Sequence, residues 1–383
     1  MDVKQIQAIM NSVTNEVLGT TDIVKEDLSN IVDIGKEILN NTEIDNYVKS
    51  LVDHIGRVVF VNRPYRGSVP SIMKDAWEYG SILEKITVDK LPEAVENESW
   101  NLTDGKSYDP NVFHKPQVSA KFFNKRVTFE IDMSITENQV KESFSSATQL
   151  NGFLSMIYNA IDKSMTIKID SLVMRTIDTL IAQSIQAVPQ GSNVLNVVHL
   201  LDKYNSIFGT TLEASKALTN PDFIKFAVLQ MGLTIDRLSK ISTLFNVGEK
   251  ERFTPKDMLN VVMLSEFKQS ANVYLQSDTF HNEYTALPNA DTVPYWQGSG
   301  KNYGFDSTSK INVTIDNGDS TTSDVSATGI LAVMFDRDAC GVTNLNRRVT
   351  TQYNPKGEFF NNFYKFDAGY FIDLNENAVV FML

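Results

Sequence analysis

No proline interrupts the sequence between Gln149 and Gln186, and the single glycine there, Gly152, falls near its start. Leu150, Leu154, Ile157, Ile161, Met165, Ile169, Leu172, Ile177 and Leu180 recur at three- or four-residue spacing, which places them on one face of a helix. Asp162, Lys163, Lys168, Asp170, Arg175 and Asp178 take the other positions, so part of that opposite face is expected to meet water or a partner. At about 1.5 Å per residue such a helix spans roughly 55 Å. One compact domain has little use for an element of that length. The stretch therefore reads as a scaffold spine, with a long buried helix of an ordinary enzyme as the alternative.

A chain of 383 residues exceeds what one core usually serves, and two or three lobes are expected. A formal net charge of -12 argues against a general nucleic-acid binder, which carries a basic excess. Cys340 is the only cysteine, so a disulfide framework is excluded and a reducing cytoplasm is the expected setting. No apolar run approaches the ~18 residues of a membrane span. The start, MDVKQIQAIMNSV, lacks the basic-then-apolar layout of a signal peptide.

The first forty residues divide into two short amphipathic segments. Ile6, Met10, Val13 and Val17 mark one, and Ile23, Leu28, Ile31, Ile34 and Ile38 the other. Pieces this short are not stable alone, so they form an arm that packs on the chain or on a neighbour. A helical turn then runs into a strand at Val58 to Val61. From Ser81 the period becomes two: Ile82, Glu84, Ile86 and Val88 share one side of a strand, and the chain returns through VSAKFFNKRVTFEIDMSI after a wet, acidic stretch. Val118, Ala120 and Phe122 have the opposite parity from Val127, Phe129, Ile131 and Met133, so a bulge or twist is expected near Asn124 to Arg126. An isolated hairpin of this length is marginal in water and must lie against a partner surface.

Beyond the spine, helical patterns cover Val194 to Phe208 and Pro221 to Leu244, and LNVVMLSEF at Leu259 to Phe267 is a strand candidate. Residues 278 to 329 are polar and read as an exposed insertion with one short strand at Ile311, Val313 and Ile315. The last fifty residues return to strands, GILAVMF, RRVTTQY, FFNNFYKFDAGYF and AVVFML, whose aromatics are expected in a core.

Catalytic and metal patterns are weak throughout. His54, His114, His199 and His281 never stand in ligand spacing. In GSGKN, Gly298 to Asn302, the first glycine and the final Ser or Thr of a phosphate loop are missing. DNGDS, Asp316 to Ser320, orders its carboxylates as a turn and not as a calcium loop. No cofactor or metal is expected, and no catalytic residue is assigned.

The succession of arm, long two-stranded loop, spine helix, α/β lobe and aromatic terminal sheet is similar to the Hong Kong 97-like fold of tailed-phage shell proteins. Two segments, YVKSLVDHIGRVV (Tyr47 to Val59) and FLSMIYNAIDKSM (Phe153 to Met165), resemble the major capsid proteins of small podoviruses of the phi29 type. The similarity rests on roughly residues 40 to 190 and, beyond them, on layout. It implies an α+β fold with peripheral and axial α/β lobes. The implied segments are an N-terminal arm (1–44), the start of the peripheral domain (45–80), an extended loop (81–135) and the spine helix of the peripheral domain (136–186). An axial domain (187–335) carrying the insertion at 278–329 follows, and C-terminal strands (336–383) complete the peripheral domain.

The resemblance also implies a function. The chain is expected to be the major capsid (head) protein of a tailed bacteriophage, self-assembling into hexamers and pentamers of an icosahedral or prolate shell that encloses double-stranded DNA. Assembly is expected in the host bacterial cytoplasm, with a scaffolding protein, a portal protein and a head-fibre or decoration protein as partners and only weak, non-specific contact with the packaged DNA. Ile6, Met10, Phe122, Phe123 and Phe129 are the expected inter-subunit contacts. The immunoglobulin-like domain that the family's type member adds at its carboxyl end has no counterpart before AVVFML, so its role is not carried over. Two alternatives remain: an encapsulin-like cellular nanocompartment shell, and a cytoplasmic carbohydrate-active enzyme built on Trp77, Trp100 and Trp296.

Overall fold

The computed structural model describes residues 7, 10–15, 24, 25, 30, 69–74 and 83–383, apart from 91, 93, 95, 112, 116, 144–146, 188–194, 277–289, 297–309 and 317–320. The strand expected at Val58 to Val61, GSGKN and Trp77 lie outside the described residues. In chain order the elements begin with β1 (Met73–Lys74), β2 (Leu83–Lys90), β3 (Gln117–Phe123), β4 (Arg126–Thr136), α1 (Glu137–Ser143) and α2 (Ala147–Ala187). There follow β5 (Val197–His199), α3 (Leu200–Phe208), α4 (Ala214–Ala217), α5 (Pro221–Leu238), β6 (Leu259–Leu264), α6 (Ser265–Gln276) and β7 (Asp291–Val293). The chain closes with β8 (Ile311–Asp316), β9 (Thr322–Ala327), β10 (Ile330–Asp336), β11 (Cys340–Asn354), β12 (Phe359–Ile372) and β13 (Ala378–Met382).

These elements fall into two compact units, one of residues 1–76, 126–172 and 343–369, the other of 77–125, 173–342 and 370–383. The first unit is built on a four-stranded sheet in the order β1-β11-β12-β4. Residues 126–135, expected within the extended loop, form with Thr136 the strand β4, which pairs antiparallel with β12 from Arg126↔Gly369 to Thr136↔Phe359. The alternation read from the sequence sets one face, where Val127, Phe129, Ile131, Met133 and Ile135 stand opposite Ala368, Phe366, Tyr364, Asn362 and Phe360. The other face is ionic: Asp367 accepts from Thr128 at 2.6 Å and pairs with Arg348 at 2.7 Å, and Lys365 pairs with Glu130 at 2.7 Å. A capping box starts α1, with Thr136 Oγ1 accepting from Gln139 N–H and Gln139 Oε1 from Thr136 N–H.

The second unit is organised by a five-stranded sheet in the order β5-β13-β10-β6-β7. β10 is central, antiparallel to β13 and β6, and every residue of its ILAVMFD is buried. A strand covered on both faces needs a continuous apolar run, which is what Ile330 to Phe335 supply. Residues 336–383, expected to complete the peripheral lobe, are shared between the units: β13 pairs with β10 and β5 in this second sheet. The strand candidate at Leu259 to Phe267 is half strand and half helix, since β6 ends at Leu264 and α6 begins at Ser265.

The long helix spans Ala147–Ala187, close to the expected limits. Up to Leu172 its burial follows one stripe through Ile157, Ile161, Met165, Ile169 and Leu172. From Val173 to Ser184 most positions are buried, including Thr176, Asp178 and Ser184, with Arg175 exposed. Asp178 corrects the expectation of a wet face at that position: it is 5% exposed, its Oδ1 has no hydrogen-bond partner, and burial pushes its carboxyl well above the usual range. The polar insertion holds a second hairpin, β8 with β9 from Ile311↔Ala327 to Asp316↔Thr322. Near it Trp296 is fully buried and donates from Nε1 to the Ile330 carbonyl at 2.8 Å.

Candidate interaction surface

The β2–β3 hairpin belongs to the second unit and forms a two-stranded sheet of its own. Its register makes the two faces chemically distinct. Glu84↔Phe122, Ile86↔Ala120 and Val88↔Val118 lie on one face; Leu83↔Phe123, Lys85↔Lys121 and Thr87↔Ser119 lie on the other. The first face is largely apolar and open, with Ile86 66% and Phe122 62% exposed and Val118 and Val88 exposed to a lesser degree. Beyond the strands, residues 91–116 carry further uncovered apolar side chains, Leu102, Phe113 and above all Trp100 at 98% exposure. Where a bulge was expected the ladder instead ends: β3 stops at Phe123 and the chain passes through Asn124 and Lys125 into β4. The register slip lies at the other end, between Val88 and Lys90.

The second face carries two lysines directly across the ladder from each other, an arrangement that repels unless an anion lies between them. Asp373 is that anion. Its side chain, 2% exposed, takes Lys121 Nζ on Oδ1 at 2.8 Å and Lys85 Nζ on Oδ2 at 3.1 Å. Glu376 pairs with Lys85 at 2.8 Å and with Arg252 at 3.4 Å, and Arg252 Nη1 donates to the Val88 carbonyl at 3.1 Å. Burial pushes the Asp373 carboxyl up, but the Lys121 hydrogen bond and the charges of Lys85 and Lys121 outweigh it and hold the group below its ordinary value. The apolar complement is small: Phe123 sits tilted on Phe371 with ring centroids 5.4 Å apart.

The anchor for these charges is a tightly bonded turn. Asp373 N–H donates to Ala339 at 2.7 Å, Val247 N–H to Leu374 at 3.1 Å, and Asp336 N–H to Asn377 at 2.8 Å. Thr254 bridges the buried Asp336 carboxylate at 2.7 Å and the Asn377 amide at 3.1 Å. At Gly248 an added Cβ would meet the Asn375 side-chain amide, which would have to shift to make room.

Of the residues expected to make inter-subunit contacts, Met10 and Phe129 belong to the first unit and Phe122 and Phe123 to the second. Ile6 lies outside the described residues. Met10 is fully covered by its own chain in a helical turn, where its carbonyl accepts from Thr14. Phe123 is half-buried against Phe371, and Phe129 is half-buried in the first unit's sheet, 5.1 Å from Phe366. Phe122 alone of the four described residues has an open face. Ile86, Val88 and Val118 were visible as an alternation, but sequence does not say which face of a hairpin its own chain covers. The Lys85–Lys121–Asp373–Glu376–Arg252 cluster had no sequence signal, because its partners stand up to 291 residues apart.

Other chemistry finds little support. Among the described residues no group of three His, Cys, Asp or Glu side chains could hold a metal ion, and His114 and His199 are both exposed and far apart in sequence. Trp100 is bare while Trp296 is core, so the two do not share a carbohydrate-binding platform. No described helix is long and apolar enough to cross a membrane.

Comparison with known proteins gives a consistent result. The family model for the phi29-like phage major capsid protein matches residues 6–382. The chain is 24% identical over 363 residues to the major capsid protein of Bacillus phage B103, covering 94% of this chain and 68% of that protein. It is 26% identical over 137 residues to the major capsid protein of Bacillus phage GA-1, covering 35% of this chain and 28% of that one. Among solved structures it is similar to a chain in the capsid of Staphylococcus phage Andhra, at TM-score 0.51 and 9% identity, over 84% of this chain and 85% of that one. It is equally similar to a chain in a structure of the head fibre and inner core protein of native bacteriophage P68, at TM-score 0.51 and 10% identity, over 84% and 86%.

Proposed function

The chain belongs to the phi29-like phage major capsid protein family, and from that membership we propose that its copies hold one another through the open apolar face of the β2–β3 hairpin. It is a structural component of the virion capsid, a shell subunit of a tailed phage, and not an enzyme. Its mixed α+β fold matches phage capsid structures of the Hong Kong 97 type.

One observation carries the interface reading: Ile86, Val88, Val118 and Phe122 stand bare on a two-stranded ladder. Such a ladder is marginal in water, and a contiguous apolar face of this kind marks an interaction site. A subunit that assembles with itself supplies the covering surface from a second copy. In this reading residues 81–135 include the extended loop that lies over a neighbour, and hexamers and pentamers are the assemblies it closes. The arm, with Ile6, adds a second contact, and Phe123 backs the loop against Phe371. A scaffolding protein and a portal complete assembly. A head fibre, present with the P68 neighbour, is extended to this chain as a partner of the same kind. The acidic charge of -12 suits a wall along which packaged DNA slides without tight phosphate contacts.

Replacing Phe122 by aspartate tests the interface. Light scattering of the purified variant is expected to show unassembled subunits under conditions where the parent forms particles. Particles of normal yield and size would exclude this face as the contact.

A further inference from the structure

We propose that Lys85, Lys121 and Arg252 with Asp373 and Glu376 form a releasable latch that sets the position of the β2–β3 hairpin, so that the hairpin has a held and a freed state. The five groups converge from four separate segments: β2, β3, the loop at Arg252, and the turn after β12. On one side the receptor is stiff, since the turn at 373–377 is bonded through its backbone to residues 247, 248, 336 and 339. On the other side the hairpin offers Lys85, Lys121, the Val88 carbonyl and the Phe123 ring, with Leu83 half-buried on the same face. The apolar side chains of its other face, Ile86, Val88, Val118 and Phe122, are exposed. The hairpin is therefore held mainly by charge, and charge can be released by screening or neutralisation in a way that apolar packing cannot.

The cluster is also built for release from one end. Asp373 and Glu376 are almost covered, and the Lys85 side chain is only 19% exposed, whereas that of Lys121 is 46% exposed, so water and salt reach the latch from the β3 side. Losing one cation leaves a buried carboxylate short of its partner, which makes the held state costly to keep. The consequence for the interface rests on the reading above: the latch would fix the direction in which Ile86 and Phe122 are offered to a neighbour. These five residues act by positioning and need not touch the neighbour.

Hydrogen exchange on the purified, unassembled full chain tests the proposal. Asp373→Asn keeps the side-chain volume and the Oδ1 acceptor for the Asn375 N–H while removing the charge. It is expected to speed exchange in residues 83–90 and 117–123 on the order of tenfold, with β10 and β13 unchanged. Lys121→Met, a milder change, is expected to act in the same direction, and Lys85→Arg to leave exchange at the parent rate. Unchanged hairpin exchange in both charge-removing variants would overturn the latch, as would acceleration spread equally over β10 and β13. Ile86→Asp separates this proposal from the interface: it touches no member of the cluster, so it is expected to abolish particles while leaving hairpin exchange in the free chain unaltered.

Discussion

Two hairpins in the second unit use the same backbone pattern with opposite chemistry. In β8–β9 the apolar residues Ile311, Ile315 and Ala327 point inward and are buried, while Asn312, Thr314, Asp316, Asp324 and Ser326 face water. In β2–β3 the lysines point toward the body and Ile86, Val88, Val118 and Phe122 face outward. The first is the ordinary solution for a surface hairpin, apolar in and polar out. The second is inverted, and two features make the inversion tolerable. Buried carboxylates neutralise the inward lysines, and in the proposed assembly a second copy of the subunit covers the outward face. A hairpin completed by its own chain and one completed by assembly can thus be told apart by the direction in which the same alternation points.

That contrast can be broken most sharply at the outward faces. Joint replacement Ile86→Asp and Phe122→Asp is expected to abolish particle formation in electron micrographs without lowering the melting temperature of the free chain, because both side chains are already in water. The corresponding change in the other hairpin, Thr314→Ala, is expected to leave assembly intact and to shift stability by no more than about 0.5 kcal/mol.

At the inward faces the order reverses. Ile315→Ala, which empties a buried site, is expected to cost about 2–4 kcal/mol in denaturant unfolding. Asp373→Asn is expected to lower the free energy of hairpin opening, not of global unfolding, by about 1.4 kcal/mol, the equivalent of the tenfold faster exchange, by stranding Lys85 and Lys121 opposite each other. An effect below about 0.5 kcal/mol would show that the hairpin does not depend on its counterion.

Two aspartates give smaller and opposite pH dependences. Asp373 has a folded-state carboxyl held below its ordinary value, so its stabilisation is present above the usual carboxylate pKa and is lost as pH falls through the depressed one. Asp178 has a carboxyl raised by burial, so the folded state is favoured below the ordinary pKa and loses that advantage as pH rises toward the raised one. Asp178→Asn is therefore expected to raise the melting temperature near neutral pH, with the gain vanishing near pH 4, about the ordinary value for an aspartate. A gain independent of pH would contradict the burial argument.

What the sequence disclosed follows the range of the interactions. The limits of α2 and the stripe from Ile157 to Leu172 were legible because helical periodicity is local. Asp178 was misplaced because periodicity tells which residues share a face, not how many faces are covered. β9 escaped notice because TSDVSA offers only Val325 and Ala327 to an alternation search, and its pairing with β8 supplies the rest. In the candidate surface Phe122 and the alternating positions around it could be read, whereas the latch could not: Asp373 meets Lys121 and Lys85 across 252 and 288 residues. Local pattern found the strands, and tertiary contact decided which way they faced.

The most direct test of the account is oxidative footprinting of Phe122, compared between the free subunit and the assembled particle. The account predicts strong labelling in the free chain and near-background labelling in the particle, with Trp296 unlabelled in both. Equal labelling of Phe122 in the two forms would show that the hairpin's apolar face stays in water after assembly, and the central claim would fall.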